Sequence, residues 1–198
     1  IEPAYVKVEG IENHRPISAA SILGRYRVID FAMSNFANSG IQKINVYIKS
    51  KPRTLIEHIN GTNYNINSKR GIIRLLPSER NGGNEIYNTD LRVMMDNIEY
   101  IESSSANYVV IAPCHFIYTQ DFNKLVEEHI KRKNDITMLY QIVNNADKNF
   151  VMCDTLDIDS SNRVKGIGRN LGNKKRQLIS LETYVMSKSL FEERKTYG

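Results

Sequence analysis

Apolar residues recur along this chain with two different periods, and the two alternate. Ile29, Ala32, Met33 and Phe36 keep helical spacing, and Ser39-Gly40 closes that helix because glycine readily takes the left-handed cap conformation. Ile44, Val46 and Ile48 then alternate with Asn45, Tyr47 and Lys49 as in a half-buried strand. A short helix over Thr54 to Ile59 and a polar loop from Asn60 to Arg70 follow. Leu91, Met94, Met95, Ile98 and Ile101 form a second helical stripe, which feeds the apolar strand Tyr108 to Ala112. Phe122, Leu125, Val126, His129 and Ile130 mark another helix, with Asp121 at its start. Strands alternating with helices argue for an α/β fold with a largely parallel sheet covered on both faces. Such sheets bind ligands beyond the carboxyl ends of their strands, so the loop after Ala112 is where chemistry is expected.

Beyond Asn134 the pattern turns strand-rich, with strands expected at Ile136 to Val143, Phe150 to Ile158, Val164 to Ile167 and Ile179 to Met186. Asp159-Ser160-Ser161-Asn162 reads as a hairpin turn between two of them, and a last helix is expected near Ser189 to Arg194. No internal repeat is visible. The 198 residues suit one globular domain, so the whole chain is read as a single unit. Its longest apolar stretch, Tyr108 to Cys114, falls far short of the roughly 20 residues of a membrane-spanning helix. Only two cysteines occur, Cys114 and Cys153, so neither a disulfide framework nor a zinc knuckle is expected, and a reducing cytoplasm is the plain location. The opening residues carry Glu2, Lys7 and Glu9, which do not make a signal peptide.

Charge narrows the partners without choosing one. The 27 Lys and Arg residues exceed the 22 Asp and Glu by a net charge of +5, which suits phosphorylated small molecules, acidic lipid or nucleic acid. The basic residues lie in short groups such as Lys131/Arg132/Lys133 and Lys174/Lys175/Arg176, most of them read as solvated surface. Aromatic residues do not interleave with these groups, which disfavours a stacking platform for nucleic acid. One group differs in context: Arg15, Arg25 and Arg27 flank Gly24 in a loop that leads into a helix start. Guanidinium forks beside free backbone N–H groups suit phosphate recognition. The plainer reading is that Arg25 and Arg27 pair with surface carboxylates and Asp30 caps a neighbour.

The segments Gly24-Arg25-Tyr26-Arg27-Val28-Ile29-Asp30-Phe31-Ala32-Met33-Ser34-Asn35, Asn38-Ser39-Gly40-Ile41, Thr54-Leu55-Ile56-Glu57-His58-Ile59, Leu75-Leu76-Pro77, Tyr108-Val109-Val110-Ile111 and Ile117-Tyr118-Thr119-Gln120-Asp121-Phe122 come in one order. Together they resemble the nucleotidyltransferase domain of the bacterial ADP-glucose pyrophosphorylase family, the glucose-1-phosphate adenylyltransferases, over most of the chain from Ile11 onward. The resemblance implies a Rossmann-like domain that transfers AMP from ATP to glucose 1-phosphate in glycogen synthesis, with Mg²⁺ as cofactor. It also implies a left-handed β-helix domain that this sequence does not contain. Under it, Arg15, Gly24, Arg25, Arg27 and Tyr87 line the substrate and phosphate cleft.

The departures from the family pattern are specific. The family's Gly-Gly-x-Gly-Thr-Arg-Leu loop is reduced to Gly10 or lies before Ile1. The Mg²⁺-binding Asp after the apolar strand is replaced, with Cys114 and His115 in its place, and neutral imidazole is a poor substitute for carboxylate oxygen at this hard cation. The Tyr-Arg-Gly-Thr-Ala-Asp signature reads Tyr87-Asn88-Thr89-Asp90-Leu91-Arg92, and Glu-Lys-Pro falls near Arg169-Asn170 with no lysine. Phosphoryl transfer depends on positioned cations and metal, so these changes imply weak catalysis. The long segment from Pro16 to Arg25 resembles instead the D-type, largely non-catalytic subunit of the family. That likeness implies a regulatory role in a hetero-oligomer with a catalytic pyrophosphorylase chain, or a homo-oligomer. An active stand-alone sugar-phosphate nucleotidyltransferase is the alternative, and a basic nucleic-acid-binding domain a remote one.

Several other residues read as structural. Cys114 is expected to be a small buried side chain, His14, His58, His115 and His129 lack metal-ligand spacing, and His129 sits on the apolar face of its helix. Met94-Met95 belongs to the core. Asp154, Asp157 and Asp159 alternate on a strand without the glycine and glutamate of a calcium loop.

Overall fold

The computed structural model describes residues 15–48, 51–64, 66, 71–77 and 90–193. A tight helical turn at Ile17–Ala19 leads to the antiparallel hairpin of Ser21–Ile22 (β1) and Tyr26–Arg27 (β2), which runs into the helix Val28–Asn38 (α1). Lys43–Ile48 (β3), Arg53–Gly61 (α2), Ile72–Pro77 (β4), Asp90–Met95 (α3), Glu99–Glu102 (α4) and Tyr108–Ile111 (β5) follow. Then come Phe122–Arg132 (α5), Ile136–Val143 (β6), Asp154–Ile158 (β7), Val164–Arg169 (β8), Gln177–Ser187 (β9) and Lys188–Glu193 (α6).

Local chemistry explains where the helices begin and stop. At the start of α1 the Arg27 backbone N–H donates to Asp30 Oδ2 at 2.7 Å, which satisfies a donor that the helix itself leaves open. At its end Gly40 adopts φ +69° and donates its N–H to the Ala37 carbonyl, as the Ser39-Gly40 signal predicts. Helix α5 starts on Asp121, whose Oδ1 accepts from the N–H groups of Asn123 at 3.0 Å and Lys124 at 3.3 Å. It ends on Lys133 in the left-handed region, without a glycine.

Two strand systems result. β3 and β4 pair in parallel from Lys43↔Ile72 to Ile48↔Pro77. In the five-stranded sheet β9 takes β5, β6 and β7 as antiparallel neighbours, and β8 pairs with β7. The β6 to β9 ladder jumps from Leu139↔Thr183 to Tyr140↔Ser180, so Leu181 and Glu182 form a bulge. Helices cover both faces of β3 and β5. On one face Ile29 and Met33 of α1 and Leu55 and Ile59 of α2 pack with Ile44, Val46 and Ile48. On the other, Met94, Ile98 and Ile101 pack with Phe191, Tyr47, Val109 and Ile111. The alternation read in Ile44 to Ile48 is thus the separation of two cores. Each fully buried Ile or Met here stabilises by about 1.5–3 kcal/mol.

Three expectations need correction, and some elements escaped the sequence. The strand expected from Phe150 begins only at Asp154, because residues 147–153 form a turn with Phe150 and Met152 at positive φ. The stripe Leu91 to Ile101 is two short helices, α3 and α4, joined by a turn at Asp96 to Ile98. Strand β4 and the β1–β2 hairpin escape a reading by periodicity, since β4 has Arg74 and a terminal Pro77, and β1 and β2 have two residues each. The loop expected over Asn60 to Arg70 gives Asn60 and Gly61 to α2, and its positions 65 and 67–70 lie outside the described residues. No helix among the described residues is long and apolar enough to cross a membrane.

Candidate functional site

The loop after β5 is held in place by α1. Asn35 donates its side-chain N–H to the Tyr118 carbonyl at 2.8 Å and accepts the Gln120 N–H on Oδ1 at 3.2 Å. Ser39 Oγ donates to the Asn35 carbonyl at 2.7 Å and accepts the Phe122 N–H at 2.8 Å. Asn35 and Ser39 are both buried, and these bonds fix the carboxyl end of the loop, from Tyr118 to Phe122. Both residues lie in the segments that carry the family resemblance, and positioning the loop is a role the sequence alone did not assign to them.

His115 lies in that loop with its side chain 5% exposed, its ring against Phe116 at 4.6 Å between centroids. Its Nε2 stands 3.7 Å from Glu182 Oε2. Glu182 reaches this position because the β9 bulge turns its backbone to φ +49°, with its N–H donating to Ser180 Oγ at 3.1 Å. Beside it Thr183 Oγ1 is 2.6 Å from the Tyr118 hydroxyl. Burial pushes the Tyr118 hydroxyl above its usual range, against a lowering by Thr183. The Cys153 thiol is likewise pushed up, by burial first and then by the carboxylates of Glu182 and Asp154. Nothing in the sequence announced Glu182, because a bulge is decided by pairing with β6 and not by local periodicity.

The three arginines are not equivalent. Arg15 and Arg25 are exposed, the latter beside Gly24, whose φ of +76° makes the tight turn of the hairpin. Arg27 is half-buried and its Nη1 donates to the Ala19 carbonyl at 2.6 Å, so it braces the hairpin rather than pairing with a surface carboxylate. Asp30 does cap its neighbour, and it also accepts from the Tyr64 hydroxyl at 2.6 Å and lies 2.7 Å from His58 Nε2. Tyr64 is consequently pushed well above the usual tyrosine range, by burial and then by Asp30. Tyr87 lies outside the described residues.

Asn170, near which the resemblance puts the family's Glu-Lys-Pro segment, is fully buried. Its Nδ2 donates to the carbonyls of Ala146, Asn149 and Phe150 at 2.8, 3.2 and 2.9 Å, and its Oδ1 accepts the Gly172 N–H at 3.0 Å. It is the clamp of the 146–153 turn. Asp154 pairs with Arg169 at 3.1 Å, and Asp159 Oδ1 accepts from the N–H groups of Ser161 and Arg163 in the hairpin turn, so both carboxylates have structural partners. Among the described residues no group of three His, Cys, Asp or Glu side chains could hold a metal ion. His115 with Glu182 offers one imidazole and one carboxylate, a poor match to the oxygen shell that Mg²⁺ takes. The pair can hold a hydroxyl or move a proton.

Comparison with known proteins gives the family. The model of the family described as "Nucleotidyl transferase" matches residues 11–152. Among curated proteins, the glucose-1-phosphate adenylyltransferase of Pseudothermotoga lettingae is 29% identical over 171 residues, 86% of this chain and 40% of that protein. The protein of the same name from Clostridium perfringens strain SM101 is 35% identical over 117 residues, 58% of this chain and 30% of that one. The chain therefore spans less than half the length of these relatives. The crystal structure of HddC from Yersinia pseudotuberculosis superposes with a TM-score of 0.74 over 94% of this chain and 74% of that one, at 16% identity, which speaks for a common fold alone. The chain belongs to the nucleotidyl transferase family, with glucose-1-phosphate adenylyltransferases among its relatives.

Proposed function

We propose that this chain is the nucleotidyltransferase-like domain, residues 1–198, of a glucose-1-phosphate adenylyltransferase-type subunit in cytoplasmic glycogen synthesis, and that its own transfer of AMP from ATP to glucose 1-phosphate is weak. The observation that supports the reading is how His115 and Asn170 are used: His115 lies beside Glu182 and Asn170 clamps a turn. By the family resemblance these residues fall at or near the positions of a metal-binding carboxylate and of the lysine that meets the sugar phosphate. Arg15, Gly24, Arg25 and Tyr87 are proposed to keep a site for small phosphorylated ligands, with Arg27 bracing the hairpin beside it, since an inherited anion site can outlive its chemistry. Mg²⁺ would enter only with residues outside those described.

Such a chain influences synthesis through a catalytic partner, by a coupling free energy of about 1–3 kcal/mol across a subunit interface. The test is to purify the full-length natural polypeptide alone and co-expressed with a catalytic chain, then to measure size-exclusion mass and ADP-glucose formation. A mixed oligomer whose turnover or substrate affinity differs several-fold from that of the catalytic chain supports the reading. Robust turnover by the chain alone, or a monomer that leaves its relative unchanged, overturns it in favour of a stand-alone enzyme.

A further inference from the structure

Strand β8 is the outer strand of its sheet, and among the described residues nothing pairs with its far edge. It bonds to β7 alone, with Ile167 opposite Leu156 and Arg169 opposite Asp154. Ile167 is 60% exposed, and every other residue of the strand except Gly166 is exposed as well. A row of backbone N–H and C=O groups open to solvent is a template for one more strand.

The charge around this edge is of one sign. Residues 163–176 hold six cations, Arg163, Lys165, Arg169, Lys174, Lys175 and Arg176, and no acid. Lys165 Nζ lies 3.6 Å from Asp159 Oδ2 and Arg169 Nη2 lies 3.1 Å from Asp154 Oδ1. The other four cations are exposed and enter no ion pair among the described residues. A second copy presents the same cations, so pairing edge to edge would set like charges against one another, which is destabilising. Lysine on an edge strand guards against that pairing and favours an acidic strand in its place.

Two glycines lie within β8, where glycine weakens a strand. Gly168 has a reason inside the fold, because a Cβ there would stand 3.1 Å from Thr155 Oγ1. Gly166 has no such reason: a Cβ there would meet only Asp157 Cβ, at an ordinary 3.9 Å. Spaced by two, they leave one face of the edge without side chains, and an aromatic ring on a neighbouring strand covers such a face.

We propose that the free edge of β8 binds an acidic, extended segment of another protein by strand addition. Main-chain bonds supply the affinity, and the cations and glycines select the sequence. Opposite the run from Lys165 to Arg169 the partner carries an acid, an aromatic, an apolar residue, an aromatic and an acid, an order that is the same in either strand direction. No run with an acid, an apolar residue two places on and an acid two further occurs in these 198 residues, so no segment of this sequence supplies it. Nucleic acid fits less well, since residues 163–176 contain no aromatic side chain on which a base would stack. The inference goes beyond the proposed function and does not depend on it.

The test adds the full-length natural polypeptide to a fluorescein-labelled peptide, Thr-Glu-Tyr-Val-Tyr-Glu-Thr, and follows fluorescence anisotropy. Saturable binding with a Kd below about 1 mM is expected. It should weaken about tenfold when lysine replaces both glutamates of the peptide, and about tenfold in the Lys165→Glu protein. N-methylation separates strand addition from charge alone. Methylating the alternate peptide amides that face β8 should abolish binding, and methylating the other set should not. Equal binding of the two methylated peptides, equal binding of the lysine peptide, or an affinity unchanged by Lys165→Glu would overturn the proposal. No binding at all, as when the rest of the polypeptide already covers the edge, also overturns it. A single-stranded oligonucleotide that binds more tightly and displaces the peptide would assign the cations to nucleic acid instead.

Discussion

His129 is a buried base that couples the fold to acid. It is 3% exposed, its Nδ1 lies 2.8 Å from Thr137 Oγ1, and its ring meets Tyr108 edge-on at 5.6 Å. Burial lowers its pKa below the ordinary 6.5, against a smaller upward pull from Asp135, so the folded state favours the neutral ring. A base whose folded pKa is depressed leaves the unfolded chain with more bound protons just below pH 6.5. Its contribution is therefore complete above that pH and lost as the pH falls toward the folded value. Urea midpoints should drop from pH 7.5 to pH 5.5, and His129→Gln, which keeps a partner for Thr137 without titrating, should flatten that limb; an unchanged slope would count against the assignment. Asp30 belongs to the same scale. Asp30→Asn weakens one acceptor shared by the Arg27 N–H, Tyr64 and His58, and a loss of about 1–3 kcal/mol is expected, read as a lower denaturant midpoint at constant m-value.

Among the elements, α1 does the most for the candidate site, because it supplies both the capped start beside the arginines and the Asn35 and Ser39 contacts to the loop after β5. Asn35→Ala should cost about 1–3 kcal/mol and speed amide exchange from Tyr118 to Phe122 while leaving β6 to β9 protected; a uniform change would mean global destabilisation instead. These elements differ in how openly the sequence declares them. Helix α1 and β5 were legible because a cap signal, a 3.6-residue stripe and an uninterrupted apolar run are local properties. Residues 150–153 were misread as strand because their apolar content favours one, whereas the outcome is set by Asn170 bonding to Ala146, Asn149 and Phe150 from the far end of the β7–β8 hairpin. Glu182 was illegible for a similar reason. Its placement beside His115 follows from a register shift against Tyr140, and register is a property of two strands. The family resemblance supplied the place where His115 sits, and the structure supplied its neighbour.

For the molecule as a whole, a net charge of +5 and two exposed arginines near one end of the fold make the expected response to small anions specific enough to measure. A ligand that binds only the folded state stabilises it by about 2.7 kcal/mol at a hundred times its Kd, and each kcal/mol moves Tm by about 2–4 °C for a chain of this size. Glucose 1-phosphate or ATP near saturation should thus raise Tm by about 5–10 °C, and added salt should shrink the shift as it screens the exposed charges. Two substitutions separate ligand contact from scaffold. Arg25→Ala removes an exposed side chain, so the Tm of the free protein should stay within the about 0.5 kcal/mol usual for a surface change while the ligand-induced shift falls by half or more. Arg27→Ala removes the donor to the Ala19 carbonyl, so it should lower Tm even without ligand. If neither phosphorylated compound shifts Tm while short oligonucleotides bind tightly and salt-dependently, the charge serves nucleic acid and the arginines have been assigned to the wrong partner.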